Sequence, residues 1–335
     1  MTAILLVHSP LVGPATLRTL AEELEQHGFS MLLPDVRGAS SWRAFGELAV
    51  SSAQAGRFTP DVVLGHSGAG AMVPAIASAL GAGRSVFVDA VLPPESGNWA
   101  PTGLIRTRLD TMAGPNRVLP PWHEWWNPNM MRRLVPDAPL RALIESECRP
   151  VSLDLYDSPA PQPDDWSSPE SCVYIQLSTA YTDDAADAGG RAWPVLVRDG
   201  HHLDSATCPS PVAELIVRAL AVRRVRVGEI GALRRRGGVT VPRNAPGLLV
   251  VAPAESAPYA VINECAHQGA ELLAGYVSAT GGVPWIECPL HMWRYDLATG
   301  RRLIRDEFST DPRDCLRTFP CEVDRSGMIW VEPRP

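Results

Sequence analysis

Residues 62–70 read VVLGHSGAG, an apolar run that gives way to small residues around one serine, Ser67. The stretch ending there, DVVLGHS, has strand character, and the following AGAMVPAIASALGAG has helical spacing. A serine at such a junction has two readings. It caps the helix by accepting from a backbone N–H, or its hydroxyl stands above the end of a strand, free for chemistry.

The flanking sequence repeats the strand-then-helix alternation. AILLV (3–7) is a short, fully apolar run, and GPATLRTLAEELEQHG places Leu17, Leu20 and Leu24 on one helical face before Gly28. FSMLLPD and SVFVDAV supply two more strands, so the order predicts an α/β fold, a mainly parallel sheet covered by helices on both faces. From Leu92 the texture changes: LPPESGNWAPTG is rich in Pro and Gly, and VLPPWHEWWNPNMMRRL concentrates Trp and Met. An insertion of helices and loops outside the sheet, a lid over about 93–165, is expected there. SCVYIQLS and WPVLVRDG return to strand character, and SPVAELIVRALAVRR closes with an amphipathic helix. Beyond Ala221 the runs VRVGEI, GLLVVAP, YAVINE, WIECPL and GMIWVE, separated by turn residues, predict a small all-β domain. The expected division is therefore 1–221 and 222–335.

Composition narrows the function classes. A chain of 335 residues with 45% hydrophobic and 20% charged residues has apolar material for two globular cores. All thirty basic residues are arginine, which excludes a Walker A lysine and a pyridoxal Schiff base. A net charge of −7 argues against a nucleic-acid partner. No apolar run reaches the ~18 residues of a membrane span, so no membrane partner is expected. MTAILLVHSP lacks a basic leader and reads as a first strand, and seven cysteines do not form a secreted disulfide pattern. These features place the chain, as an expectation, in the cytoplasm.

Two Cys/His pairs stand out. Cys265 and His267 form C-x-H, and Cys288 and His291 form C-x-x-H, with twenty residues between the pairs. Such a set suits a structural zinc or a 2Fe–2S centre with two thiolates on one iron and two imidazoles on the other. A zinc finger puts two cysteines together and then two histidines, whereas here each hairpin contributes one of each. AVINECAHQGAELLAG and CPLHMWRYDLATGR resemble the Rieske family, over residues 224–333. The resemblance implies Cys265 and Cys288 on one iron and His267 and His291 on the other, with Pro289 and the backbone at Gln268 and Gly269 shaping the loops. CAHQGA and CPLHMW lack the extra cysteines of membrane-complex Rieske proteins, so the similarity is to the ferredoxin and oxygenase type, toward the low end of Rieske potentials. Cys315 and Cys321 lie outside both loops and read as strand residues. The other histidines (His8, His27, His66, His123, His201, His202) show no D-x-x-H-x-x-x-x-H spacing, which argues against a mononuclear-iron oxygenase.

With Gly65 and Ser67 in place and Ala69 in the last position, VVLGHSGAG also resembles the G-x-S-x-G elbow of the α/β-hydrolase fold, over residues 3–221. The resemblance implies Ser67 as nucleophile. It implies a base in VRDGHHLDSATCPSPVAELI, where His202 has the better spacing from Pro209 and His201 is the alternative. The acid is less direct, since Thr179, Ala180 and Tyr181 follow the usual strand and Asp183 and Asp184 arrive late. Some hydrolases take the acid from the strand after the nucleophile helix, and VFVDAVLPP puts Asp89 there, with Asp154, Asp157 and Asp183 as alternatives. The oxyanion hole would use Gly68 and a residue of VHSPLVGP, where Pro10 has no N–H to give. The second donor is then Ser9 or Leu11, and Leu11 is the candidate carried forward. A serine nucleophile points to cleavage of esters, thioesters or lactones, not to dehalogenation. Trp122, Trp125 and Trp126 with Met130 and Met131 either line an apolar substrate pocket or form the lid's own core. Two whole-chain readings follow. The chain is a serine hydrolase of a small apolar metabolite, carrying a 2Fe–2S cluster with a redox, sensing or structural role. Alternatively it is an electron-transfer protein whose hydrolase fold is a scaffold, with a ferredoxin reductase or an oxygenase as partner.

Overall fold

Six apolar runs line up as one parallel sheet: β1 (Ala3–Val7), β2 (Ser30–Leu32), β3 (Val62–Ser67), β4 (Arg84–Ala90), β5 (Cys172–Gln176) and β6 (Val195–Val197), in the order β6-β5-β4-β3-β1-β2. This computed structural model describes residues 1–241, 247–253, 256–279, 282–304 and 307–333. The chain divides into two compact units, residues 1–189 with 193–221, and residues 190–192 with 222–335.

The first unit is built on strand alternation. Leu5, Val7, Val63 and Phe87 face one side, where α2 (Trp42–Ala55) and α3 (Val73–Leu80) supply Trp42, Phe45, Ala49, Val73 and Ile76. Ile4, Leu6, Val62, Leu64, Val86 and Val88 face the other, against Leu17, Leu20 and Leu24 of α1 (Arg18–Gln26, with its preceding turn) and Val212, Ile216 and Ala219 of α4 (Pro209–Ala221). Strands apolar on both faces are what a sheet covered twice requires, so the α/β expectation holds. Helix α2 was not anticipated. Its buried face is largely Ala and Gly behind Trp42 and Phe45, which dilutes the periodicity, although the Ser41 side chain accepts from the Ala44 N–H at 3.1 Å as a helix cap.

Between β4 and β5 the insertion holds helices Gly103–Ala113, Pro128–Leu134 and Ala138–Glu147. It also holds two antiparallel pairs that the sequence did not announce, Asn98–Trp99 with Ala160–Pro161 and Val118–Leu119 with Val151–Ser152. Pairs of two residues are too short for alternation to register. Met131 is buried with Val12, Val135, Ile144 and Leu203, and Trp122 and Trp126 pack against that cluster. Met131 is thus core, and the two half-buried tryptophans cover a cluster that joins the insertion to the segments that follow Pro10 and His202. Met130 stays exposed.

The second unit contains antiparallel sheets of three, four and five strands. One helix, Ile230–Arg236, departs from the all-β expectation; three arginines lie in its last turn, where positive charge suits the helix C-terminus, and Gly237 ends it at φ +81°. Cys321 lies in strand Cys321–Val323, but Cys315 does not lie in a strand. It follows the 3-10 turn Pro312–Asp314, which the Asp311 side chain caps. Among the described residues no helix is long and apolar enough to cross a membrane.

Candidate functional site

The turn from β3 into the following 3-10 segment, Gly68–Met72, carries Ser67 at φ +60°, ψ −129°. Non-glycine residues are rarely held there, and the cost is of order 1–3 kcal/mol. Small neighbours make the turn feasible. A Cβ on Gly65 would lie 2.3 Å from Val73 Cγ2, and one on Gly70 2.1 Å from the Val91 carbonyl oxygen. The tightest approach after the serine thus falls at Gly70, and Ala69 fits, fully buried, where the motif more often has glycine.

Asp89, at the end of β4 with φ +43°, is fully buried and accepts four hydrogen bonds. Oδ1 takes the N–H groups of Leu177 and Ser178, each at 2.9 Å; Oδ2 takes the Ser178 hydroxyl at 2.6 Å and lies 2.7 Å from His202 Nδ1. Burial pushes this carboxyl up, but the bonds from His202, Ser178 and Leu177 outweigh it and hold it below the usual carboxylate value. An ionised carboxylate only accepts, so His202 carries its proton on Nδ1 and leaves Nε2 as an acceptor. His201 is engaged elsewhere: its Nε2 lies 3.0 Å from buried Asp204, which also accepts from Arg198 at 2.9 Å. The other candidate acids are apart from the imidazole. Asp154 and Asp157 pair with Arg117, Asp157 also with Arg106, and Asp183 is exposed in the first turn of helix Thr182–Gly190.

Three residues not singled out from the sequence complete the site. Ser178 occupies the place after β5 where an acid was sought, and binds Asp89 instead. Tyr181 OH lies 3.2 Å from Ser67 Oγ, and its ring stacks on His202, centroids 5.1 Å apart and planes within 15°. His66 stacks on His202 as well, at 4.5 Å, and its Nε2–H donates to the His202 carbonyl at 2.9 Å. Burial, and then the nearby His202, lower the His66 pKa to about 3, so His66 stays neutral. The signal for His66 and Tyr181 was present, as polar rings adjoining Ser67 and the β5 loop, but nothing in the spacing says that both rings meet one imidazole.

The loop after β1 is similarly pinned. Burial lowers His8 to about 4, and the neutral ring donates from Nδ1 to the Ser9 carbonyl at 2.8 Å while Nε2 accepts from Val36 N–H at 3.2 Å. Val12 N–H donates to the Ser9 carbonyl at 3.3 Å, and Leu11 N–H lies 3.4 Å from Ser9 Oγ. Ser9 and Pro10 lie beside Gly68, whose added Cβ would meet them at 3.1 and 3.4 Å.

In the second unit two loops share one backbone plan. Cys265 N–H donates to Ala270 O at 2.8 Å and Gly269 N–H to Cys265 O at 2.9 Å; Cys288 N–H donates to Trp293 O at 2.8 Å and Met292 N–H to Cys288 O at 3.0 Å. The fourth residue after each cysteine is left-handed, Gly269 at φ +71° and Met292 at +55°. Asn263 Oδ1 braces the first loop by accepting from Leu272 and Leu273 N–H at 3.1 and 2.9 Å. Ligand atoms of Cys265, Cys288 and His291 lie within 4.8 Å of one another, and the His267 ring stands 4.5 Å from that of His291. Both thiols are buried, Tyr295 OH is 3.1 Å from Cys265 Sγ, and Trp293 stacks on His267 at 4.3 Å.

The model of the Rieske [2Fe-2S] domain family matches residues 222–320. The chain is 30% identical over 92 residues to the ferredoxin component of the naphthalene 1,2-dioxygenase system of Pseudomonas putida, 28% of this chain and 77% of that one. It belongs to the Rieske family. The Rieske segment is also 39% identical over 85 residues to methylxanthine N3-demethylase of Pseudomonas putida, covering 25% of this chain and 24% of the demethylase. The chain thus spans about a quarter of that relative. An extracellular alpha/beta-hydrolase from a Paenibacillus species, described as sharing structural and functional homology with tobacco salicylic acid binding protein 2, superposes with a TM-score of 0.52. The identity is 16%, over 65% of this chain and 99% of that one, which shows a shared α/β-hydrolase fold. The chain is therefore an α/β-hydrolase fold joined to a Rieske domain, whose cofactor is a 2Fe–2S cluster. The donor set fits that group: two buried sulfurs and two imidazoles, presented by matched loops. Burial, reinforced by the Cys265 sulfur, raises the Cys288 thiol, a cost that cationic iron reverses.

Proposed function

We propose that the first unit is a serine hydrolase that cleaves a small, apolar ester-like substrate through Ser67, His202 and Asp89. One observation carries this reading: a buried carboxylate with all its acceptor sites filled lies 2.7 Å from His202 Nδ1, beside a serine on a strained strand-to-helix turn. Ser67 Oγ attacks the acyl carbon while His202 Nε2 takes its proton. Asp89 remains ionised and stabilises the imidazolium. His202 then returns the proton to the leaving oxygen and activates water to release the acyl group. Gly68 N–H is the first donor expected for the developing oxyanion, while Leu11 N–H, the second donor expected from the sequence, lies 3.4 Å from Ser9 Oγ. Leu11 and Val91, half-buried against the main core, support an apolar acyl group; the Val91 N–H is bound to Ser67 O at 3.1 Å.

In the Rieske domain, Cys265 and Cys288 would hold one iron and His267 and His291 the other. The group supplies one-electron chemistry. The ferredoxin relative supports an electron-transfer partner, a ferredoxin reductase or an oxygenase. A second reading, in which the hydrolase fold is a scaffold for this electron transfer, is favoured by the Ser67 hydroxyl facing Tyr181. A fluorophosphonate probe separates the two. Labelling of wild type, lost in Ser67→Ala, supports the hydrolase. No labelling of wild type, with rapid reversible reduction by a reductase, supports the scaffold.

A further inference from the structure

We propose that Tyr181 is a catalytic residue, its phenol donating a hydrogen bond to the substrate carbonyl oxygen in place of the backbone N–H that Pro10 lacks. The inference rests on the serine-hydrolase reading above.

Acyl transfer needs donors aimed at the oxygen on which charge develops. The loop after β1 is poor in them. Pro10 has none, Val12 N–H is spent on the Ser9 carbonyl, and Leu11 N–H leans on Ser9 Oγ at 3.4 Å. The His8 ring bonds the Ser9 carbonyl through Nδ1 and the Val36 N–H through Nε2, which ties this loop to the segment after β2. Ser9 and Pro10 lie close by Gly68, where an added Cβ would come within 3.1 and 3.4 Å of them.

Across the site, the turn Thr179–Tyr181 follows directly on the Leu177–Ser178 backbone that Asp89 anchors. The Tyr181 ring lies flat on His202, which fixes the direction of its hydroxyl toward Ser67 Oγ, 3.2 Å away. The carbonyl oxygen of an acyl group bonded to Oγ is two covalent bonds from it, within the sweep of a phenol already at this distance. Burial raises the Tyr181 pKa, only partly offset by the Ser67 bond, so the phenol stays protonated where the imidazole works as a base. In the step itself, the Oγ–C bond forms and the C=O π pair moves onto oxygen. The Oγ proton goes to His202 Nε2, while Tyr181 keeps its own proton and only shares it. Collapse reforms C=O and expels the leaving oxygen with the proton from His202.

Tyr181→Phe keeps the ring and its stacking and removes the donor. With p-nitrophenyl acetate as probe, the expected result is a fall in kcat of about 10²–10³, with KM within about threefold. Affinity for a trifluoromethyl ketone, which forms an oxyanion on Ser67, falls by a similar factor. The melting temperature and the pH midpoint of kcat/KM stay at the wild-type values. A kcat within about threefold of wild type, or one that rises, would overturn the proposal and leave the phenol as a restraint on Ser67. An unchanged ketone affinity would do the same. Fluorophosphonate labelling of wild type is the control: if it fails, the serine-hydrolase reading falls; if it succeeds while Tyr181→Phe is inert to change, only this inference does.

Discussion

Replacing Asp89 by asparagine turns one acceptor oxygen into a donor nitrogen at a point where four donors converge. The two backbone N–H groups cannot reorient, so the amide oxygen must keep the Oδ1 position. The amide nitrogen then faces Ser178 and His202. The Ser178 hydroxyl can rotate and accept, but His202 Nδ1 can accept only by giving up its proton. The imidazole therefore shifts to the Nε2–H tautomer, and the nitrogen that takes the Ser67 proton in the proposed mechanism no longer can. A triad with the wrong tautomer loses about 10⁴ in rate, or about 5.4 kcal/mol of barrier at about 1.36 kcal/mol per decade. The fold should survive, because at least two of the four bonds are retained and the shape is unchanged. Fluorophosphonate labelling rates, with ¹⁵N NMR of the His202 ring, read the effect directly. A labelling rate within about tenfold of wild type, or a ring still protonated at Nδ1, would refute the tautomer argument.

Other outcomes follow from the same geometry. His202→Ala abolishes labelling, whereas His201→Ala, which breaks only the pair with Asp204, leaves labelling within about tenfold and lowers thermal stability; the reverse pattern would reassign the base. Tyr295→Phe removes a donor from Cys265 Sγ. A bond worth about 1 kcal/mol more to the reduced cluster corresponds to about 45 mV for one electron, so the midpoint potential should fall by that order in an EPR-monitored titration; a rise would contradict it. Stability should rise with pH between about 4.5 and 5.5. His8, lowered to about 4, and His66, to about 3, are protonated in the unfolded chain but not in the folded one across that window. Asp184, raised by burial to about 6, acts in the opposite sense. Two depressed histidines against one raised carboxyl leave a net slope of about 1.4 kcal/mol per pH unit. Urea titrations should show that slope, and His8→Asn should flatten it; an unchanged slope in the variant would show that His8 is not its source.

Much of this architecture is legible in the linear chain because it depends on local pattern. Apolar runs without alternation in 3–7, 62–67 and 84–90 demand a sheet covered on both faces. The Cys/His pairs at 265–267 and 288–291 name a donor set, since ligand type and short spacing are properties of single loops. Gly65 and Gly70 are needed within the very turn that carries Ser67. Partnership across the chain is another matter. Asp89, Asp154, Asp157 and Asp183 are equally acidic on paper, and it is the folded sheet, with β5 between β4 and β6, that accompanies the approach of Asp89 to His202, while arginines of the insertion occupy Asp154 and Asp157. The same holds for Ser178, for the stacking of His66 and Tyr181 on one ring, and for the half-buried tryptophans, of which Trp122 and Trp126 pack on one cluster and Trp125 on another. Local sequence specifies what a segment can form, at separations of a few residues. Which side chains share a hydrogen bond across 88 or 113 positions depends on how whole strands register, and that is a property of the folded sheet.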